Sequence, residues 1–136
     1  MLRAVIVMLT VVLIGCASTG PSRSLAPGDL ARLAGTWNGI VTPPSGGGGV
    51  MPAEGTLTLS PNGDYVFAVG AIVSRGKAEI KDGTLTLTST SISGGLETSQ
   101  RTSTATLTER PGGMLVLSGF GHSDRGPFNF EVTRKK

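Results

Sequence analysis

The sequence predicts an all-β domain, a small antiparallel up-and-down barrel of eight strands. Apolar and polar residues alternate with a period of two in eight short segments, and residues that tolerate positive φ lie between several of them. No helical period of useful length follows Leu33. Closure into a barrel removes the edges of such a sheet, and a two-sheet sandwich is the structural alternative. The predicted strands are 35–42, 54–60, 64–70, 72–80, 84–90, 99–108, 114–118 and 128–134.

The first four strands are predicted from apolar residues at alternate positions, which share one face of a strand. These residues are Trp37 and Val41 in the first strand, Leu57 and Leu59 in the second, and Tyr65, Phe67 and Val69 in the third. The fourth strand is less regular, because Arg75 and Lys77 interrupt it. The segment 61–64, Pro-Asn-Gly-Asp, supplies a turn between the second strand and the third.

The last four strands show the same alternation. The fifth is the most regular, because Leu85 and Leu87 alternate with threonines. The apolar positions of the other three are Ala105 and Leu107, then Leu115 and Leu117, then Phe128, Phe130 and Val132. Glycine-containing joints at 81–83, 93–95 and 111–113 separate these strands, as hairpin connections require.

The first sixteen residues have the pattern of a secretory signal that ends in a cysteine. Met1-Leu2-Arg3 carries one positive charge, and 4–14 is an apolar run of eleven residues. A membrane-spanning helix needs about 20 apolar residues, so this run is too short to cross a bilayer. It ends in Leu13-Ile14-Gly15-Cys16, which holds the only cysteine of the chain. No disulfide can therefore form within the chain.

This tetrapeptide resembles the lipobox of bacterial lipoproteins. The resemblance implies cleavage before Cys16, a diacylglyceryl group on its thiol and an acyl chain on its new amino terminus, and no other cofactor is expected. The acyl chains make the membrane a partner, since two or three together hold stably. Ala17 and Ser18 follow the cysteine, where inner-membrane lipoproteins of enterobacteria typically carry aspartate, and this favours the bacterial outer membrane and a periplasm-facing domain. The alternative is an uncleaved anchor in which Cys16 is a small buried residue.

The chain is therefore expected to have three parts. Residues 1–15 form the cleaved signal peptide, 16–29 the lipidated cysteine and a flexible linker, and 30–136 the barrel domain. The linker is rich in Ser, Thr, Gly, Pro and Ala, a composition that cannot bury a core. Asp29 can cap a single helical turn over 30–33, which Gly35 ends.

Charge and polar residues give little support to catalysis, metal binding or nucleic-acid binding. The net charge of the 136 residues is +3, and basic residues do not interleave with stacking aromatics as in single-strand binders. The one histidine, His122, lies in a predicted loop beside Ser123 and Asp124, but sequence neighbours do not form a catalytic relay. A zinc site needs three or four ligands. We expect no catalytic residues and no metal.

Gly35-Thr36-Trp37, at the start of the first strand, resembles the G-x-W signature of lipocalins and the wider calycin group. The resemblance implies that Trp37 closes the base of the barrel and that an arginine from the last strand packs across its ring. Arg134 is the candidate, so Gly35, Trp37 and Arg134 are the expected structural signature. The domain is shorter than a typical lipocalin and is called lipocalin-like. Avidins open similarly but depend on several tryptophans, so biotin is not expected.

A lipocalin-like barrel implies a small hydrophobic ligand or lipid, bound without catalysis. The candidate ligand-binding residues are Tyr65, Phe67, Phe128 and Phe130. An eight-stranded barrel is just wide enough to be filled by side chains or to hold one small ligand, and both possibilities remain open. A filled barrel would be a scaffold that binds an envelope protein, for example as an inhibitor of a protease or lysozyme. The loop 43–53, with four glycines, is either a lid or a plain surface loop.

Replacement of Cys16 by serine tests the anchor. Because serine offers no thiol for the diacylglyceryl group, Cys16→Ser is expected to abolish labelling of the protein by radioactive palmitate and to release it from the membrane fraction. Ser18→Ala is the control and is expected to remain labelled. Undiminished labelling of the Cys16→Ser protein would contradict the prediction.

Overall fold

The computed structural model describes residues 22–42, 52–93, 101–123 and 126–135. A 3-10 turn at Pro27–Asp29 is followed by a short helix, α1, at Leu30–Leu33. The strands are β1 (Ser22–Arg23), β2 (Gly35–Thr42), β3 (Ala53–Leu59), β4 (Asp64–Val69), β5 (Ile72–Lys81), β6 (Thr84–Ser93), β7 (Thr102–Arg110), β8 (Met114–Ser123) and β9 (Gly126–Lys135). Among these described residues, no helix has the length and apolar character needed to cross a bilayer.

The all-β barrel predicted from the sequence is confirmed. Strands β2 to β9 form an antiparallel meander in which each strand pairs with the next. β9 also pairs with β2, from Asn38 opposite Thr133 to Thr42 opposite Asn129, and this pairing closes the sheet. The eight strands thus form a closed barrel of the small lipocalin-like type, not a two-sheet sandwich.

The two ends of the barrel differ. At one end, which we call the closed end, α1 and the residues before it lie beneath Trp37, whose ring is completely buried. The opposite end, where β2, β4, β6 and β8 finish, is called the open end. The predicted loops 43–53 and 93–99 connect strands there, and their residues 43–51 and 94–99 lie outside the described residues, as do the four glycines.

The barrel interior is filled over most of its height. Sixteen buried apolar residues pack into one core, and Trp37, Leu57, Leu85, Leu117 and Val132 are 0% exposed. The other buried members are Leu25, Leu33, Leu59, Tyr65, Phe67, Ala78, Leu87, Ala105, Leu107, Leu115 and Phe130. Val69 and Phe128, which were predicted to point inward, pack against this core while partly exposed.

Residues 22–29 are part of the fold, so the prediction of a flexible linker up to Asp29 is wrong for this segment. Strand β1 pairs with Leu107 and Thr108 of β7, beyond the point where β6 stops pairing with β7. Leu25 then donates its N–H to the carbonyl of Gly83 at 2.9 Å and buries its side chain in the core. A polar, proline-containing sequence thus covers the part of β7 that β6 leaves unpaired.

Asp29 acts on the turn before α1 and not as the cap of α1. Its carboxylate accepts a hydrogen bond from the N–H of Ala26 at 2.8 Å, while its own N–H donates to the carbonyl of Ala26. The side chain makes no capping bond to α1. The predicted helical turn is present, and a 3-10 turn extends it toward the amino terminus.

Strand β8 is five residues longer than the predicted segment, which ended at Ser118. The apolar alternation stops there because Gly119 and Gly121 take the next two inward positions. In the structure Gly119 pairs with Phe130 and Gly121 pairs with Phe128, so phenylalanine rings of β9 occupy the space that the glycines leave.

Arg134 joins the end of the barrel to its beginning. Its guanidinium donates to the carbonyls of Arg32 at 2.8 Å and Leu33 at 3.1 Å, and also to that of Ala34. These carbonyls at the carboxyl end of α1 lack partners within the helix. The same guanidinium lies 4.5 Å from the centre of the Trp37 ring, the contact that the lipocalin resemblance implies.

Gly35 is required where Arg134 crosses the chain. Its φ is +134°, a value that side chains rarely adopt, and a Cβ there would lie 2.9 Å from Nη1 of Arg134. The Gly35-Thr36-Trp37 motif therefore has a local physical reason. The glycine leaves room for the guanidinium, and the indole N–H donates to the carbonyl of Leu33 at 2.9 Å.

Arg134→Ala is expected to lower the free energy of unfolding by about 2–3 kcal/mol, because it removes charge-assisted hydrogen bonds and the cation–π contact. Urea denaturation measures the change. Arg110→Ala is the matched control, since it removes only the exposed ion pair with Glu131 and should cost less than about 1 kcal/mol. Equal losses of unfolding free energy in the two variants would show that the Arg134 contacts stabilise the fold no more than an exposed ion pair does.

Candidate functional site

Three of the four predicted ligand-binding residues form an aromatic cluster in the open half of the barrel. Phe67 comes from β4, and Phe128 and Phe130 come from β9. The Phe67 and Phe130 rings meet edge to face across the interior, with their centres 5.4 Å apart and their planes at 65°. The centres of Phe128 and Phe130 are 6.4 Å apart. We call Phe67, Phe128 and Phe130 the phenyl cluster.

Exposure increases through the phenyl cluster toward the open end. Phe130 is 3% exposed and Phe67 is 7% exposed, so both belong to the core. Phe128, nearest the turn between β8 and β9, is only partly buried. The cluster therefore forms the upper boundary of the filled interior, with one ring accessible from the open end.

Glycines hold these rings against the barrel wall. A Cβ at Gly121 would lie 2.7 Å from the Phe128 ring, and one at Gly119 would overlap the Phe130 ring. A Cβ at Gly55 would lie 3.1 Å from the Phe67 ring. Inward glycines mark sites where another group approaches a strand closely. Each ring thus packs over a glycine. For the two rings of β9, the Gly-x-Gly sequence of β8 indicates this arrangement.

Tyr65, the fourth predicted residue, lies on the same strand as Phe67 but directs its hydroxyl toward β5. The hydroxyl is 3.4 Å from that of Ser74, and the residue is 5% exposed. Ser89, on the next strand, is 2% exposed and satisfies its hydroxyl with both the N–H and the carbonyl of Arg101. The β4–β6 side of the interior therefore carries hydroxyls beside Phe67, whereas Phe128 and Phe130 project from β9.

Sequence reasoning predicted Tyr65 as a candidate ligand-binding residue but missed the two serines. Ser74 lies in the irregular fourth strand, and Ser89 lies in a segment where serine and threonine occupy both faces. Ser89 continues the inward row of Leu85 and Leu87, and Ser74 stands two positions before Gly76 in the row that leads to Ala78. A period-two pattern of apolar residues marks only apolar inward positions, so a small polar residue at an inward position gives no signal.

The other predicted residues lie elsewhere. Gly35, Trp37 and Arg134 form the closed end and do not contribute to the phenyl cluster. His122 lies on β8 opposite Pro127 and is exposed, so the prediction that it sits in a loop is wrong. Cys16 and Asp124 lie outside the described residues. Within the described ranges, no three His, Cys, Asp or Glu side chains are grouped closely enough to hold a metal ion.

Comparisons with known proteins do not identify a family. A scan against protein-family models found no match, and searches among curated proteins and solved structures found no significant similarity. The resemblances to lipoproteins and to lipocalins therefore rest on the motifs and on the barrel itself.

The ionisation of Tyr65 gives a pH-dependent test of this interior. Burial raises its pKa above the ordinary value of 10.0. Between pH 10.0 and this raised pKa, the unfolded chain releases a proton that the folded chain keeps. The free energy of unfolding should therefore decrease as the pH rises through that window. Tyr65→Phe should remove the part of this decrease that comes from ionisation of the tyrosine.

Absorbance of the phenolate measures the ionisation directly, because the chain has one tyrosine. The folded protein should titrate at a higher pH than the same protein in denaturant. A folded-state midpoint at or below that of the denatured chain would contradict the buried position of the Tyr65 hydroxyl.

Proposed function

We propose that this chain is a lipoprotein of the bacterial cell envelope that binds a small hydrophobic ligand at the open end of its barrel, without catalysing a reaction. The acyl chains on Cys16 would hold it at the outer membrane, facing the periplasm. The phenyl cluster is the observation that carries the proposal. It presents a partly exposed ring, Phe128, at the open end of a barrel whose remaining interior is already packed.

The packed core limits the size of the ligand. Below the cluster, the inward side chains of Leu57, Leu87 and Leu117 are no more than 2% exposed. A long acyl chain therefore has no space to extend toward the closed end. The ligand that fits is a small apolar molecule, or the end of a larger one, that contacts Phe128 and the partly buried Val41 and Val69, which lie beside Gly55.

Ser74 offers this ligand one polar contact. It lies on β5 and is only partly buried, whereas Tyr65, whose hydroxyl is 3.4 Å away, is 5% exposed and belongs to the core. The surface offered to the ligand is therefore mainly apolar with a single polar side, as is common in small-molecule sites.

The filled core also favours a second function. A barrel whose interior is occupied by its own side chains can serve as a rigid scaffold, and binding then takes place on its surface. The partner would be an envelope protein, and inhibition of a protease or a lysozyme is one form of this function. Crosslinking in whole cells separates the two functions, because only the scaffold is expected to yield a specific protein adduct.

Two phenylalanines on adjacent strands supply a matched test. Phe128 belongs to the phenyl cluster, whereas Phe120 on β8 points outward and is 56% exposed. Titration of a soluble protein beginning at Ala17 with a fluorescent short-chain fatty acid should saturate. Phe128→Ala should weaken binding at least tenfold, because it removes the ring that the ligand contacts, and Phe120→Ala should leave the affinity unchanged.

Absence of saturable binding to the unmodified protein would overturn the ligand-binding proposal and favour the scaffold. Equal weakening by Phe120→Ala and Phe128→Ala would also count against binding at the open end. Circular dichroism and urea denaturation of each variant confirm that the comparison is made between folded proteins.

A further inference from the structure

The outer wall of the barrel carries a groove that the open-end site does not use. It runs over β2, β9 and β8 and has a volume of about 800 Å³, open to solvent. Most of its lining residues belong to the outward face of the three strands, and the inward residues Gly39, Gly119 and Phe130 also border it. Phe128 and Phe67 of the phenyl cluster are not among its lining residues. The residues that matter for the argument are Ile40, Thr42, Ser118, Phe120, Asn129 and Glu131. We call this the outer groove.

Phe120 is the unusual residue of the outer groove. It is 56% exposed, although the phenylalanines of the phenyl cluster are buried or partly buried. Its neighbours in the sheet are Asn129 on β9 and Thr104 on β7, and Ser118 and His122 lie on the same face of its own strand. An accessible aromatic ring is thus surrounded by amide, hydroxyl and imidazole groups.

This pattern does not suit the core of a protein–protein interface, which is apolar and contiguous. Ile40, the other exposed apolar residue in the outer groove, is 44% exposed and lies two strands away from Phe120. In the sheet Ile40 stands between Glu54 and Glu131. Polar and charged side chains therefore separate the two apolar ones, and no continuous patch forms.

A carboxylate lies in the outer groove. Glu131 accepts a hydrogen bond from Arg110 at 2.6 Å, and the guanidinium reaches it across β8. Both side chains are exposed, at 41% and 49%, so the pair adds little stability. In the sheet Glu131 lies opposite Ser118, so a carboxylate and a hydroxyl are neighbours in the outer groove.

We infer that the outer groove binds an oligosaccharide. A sugar ring has one face of C–H groups and an edge of hydroxyls. The C–H face suits the negative face of an aromatic ring such as Phe120. Asn129, Ser118 and Glu131 offer the donors and acceptors that sugar hydroxyls need. Neighbouring side chains lie about 5 Å apart across strands and about 7 Å apart along them, so one sugar can contact several.

The test uses three trisaccharides, chitotriose, cellotriose and maltotriose, added to the ¹⁵N-labelled soluble protein that begins at Ala17. At least one should cause saturable shifts of the backbone amide signals of Phe120, Asn129 and Glu131. Phe120→Ala should weaken that binding at least tenfold, and Glu131→Gln should weaken it severalfold. Phe128→Ala, on the inward face, and Ile72→Ala, an exposed apolar residue outside the groove, should not change it.

Failure of all three trisaccharides to shift these signals at millimolar concentration would overturn the inference. Shifts elsewhere, or shifts that survive Phe120→Ala, would do the same. An envelope protein that protects Phe120 in a crosslinking experiment would replace the sugar with a protein partner. The two proposals can be refuted separately, because Phe128→Ala tests only binding at the open end and Phe120→Ala tests only binding in the outer groove.

Discussion

The carboxyl end of α1 is the point on which the rest of the barrel depends. One guanidinium, from Arg134, binds three successive backbone carbonyls there and covers the face of Trp37. Trp37 in turn bonds to one of the same carbonyls and is completely buried at the base of the core. A helix of four residues would not persist alone. Here it is held by the last strand, and it closes the barrel in return, so residues about a hundred positions apart stabilise each other.

This closure divides the molecule into regions with different tasks. Near the closed end, leucines and Trp37 fill the interior and leave no place for a ligand, which makes this half a structural base. Toward the open end, glycines replace large side chains on β8 and the rings of β9 lie over them. Residues at the open end and on the outward faces can be exchanged without disturbing the packed core, and both proposed sites lie there.

The sequence predicts the barrel well because burial on one side of a strand imposes a period of two. Leu85 and Leu87, or Leu115 and Leu117, were assigned to the interior from alternation alone and are buried. The pattern fails where the inward residue is not apolar. Gly119 and Gly121 interrupt the apolar pattern in the second half of β8, and Ser89 continues the inward row of Leu85 and Leu87 without an apolar side chain. Strand β1 has no pattern at all, since two polar residues pair only because β6 leaves an edge of β7 open. The outer groove requires the closing contact between β2 and β9, which brings residues from opposite ends of the chain together.

The position of β1 has a consequence for the orientation of the whole protein. Ser22 enters the fold at the closed end, beside Thr108. Five residues lie between it and the proposed anchor at Cys16, so the six steps from one Cα to the other span at most about 22 Å. With the proposed anchor in place, the tether would join the bilayer to the base of the barrel. The open end, with Phe128, would be the end farther from the tether, and the outer groove would run along the wall between the two ends.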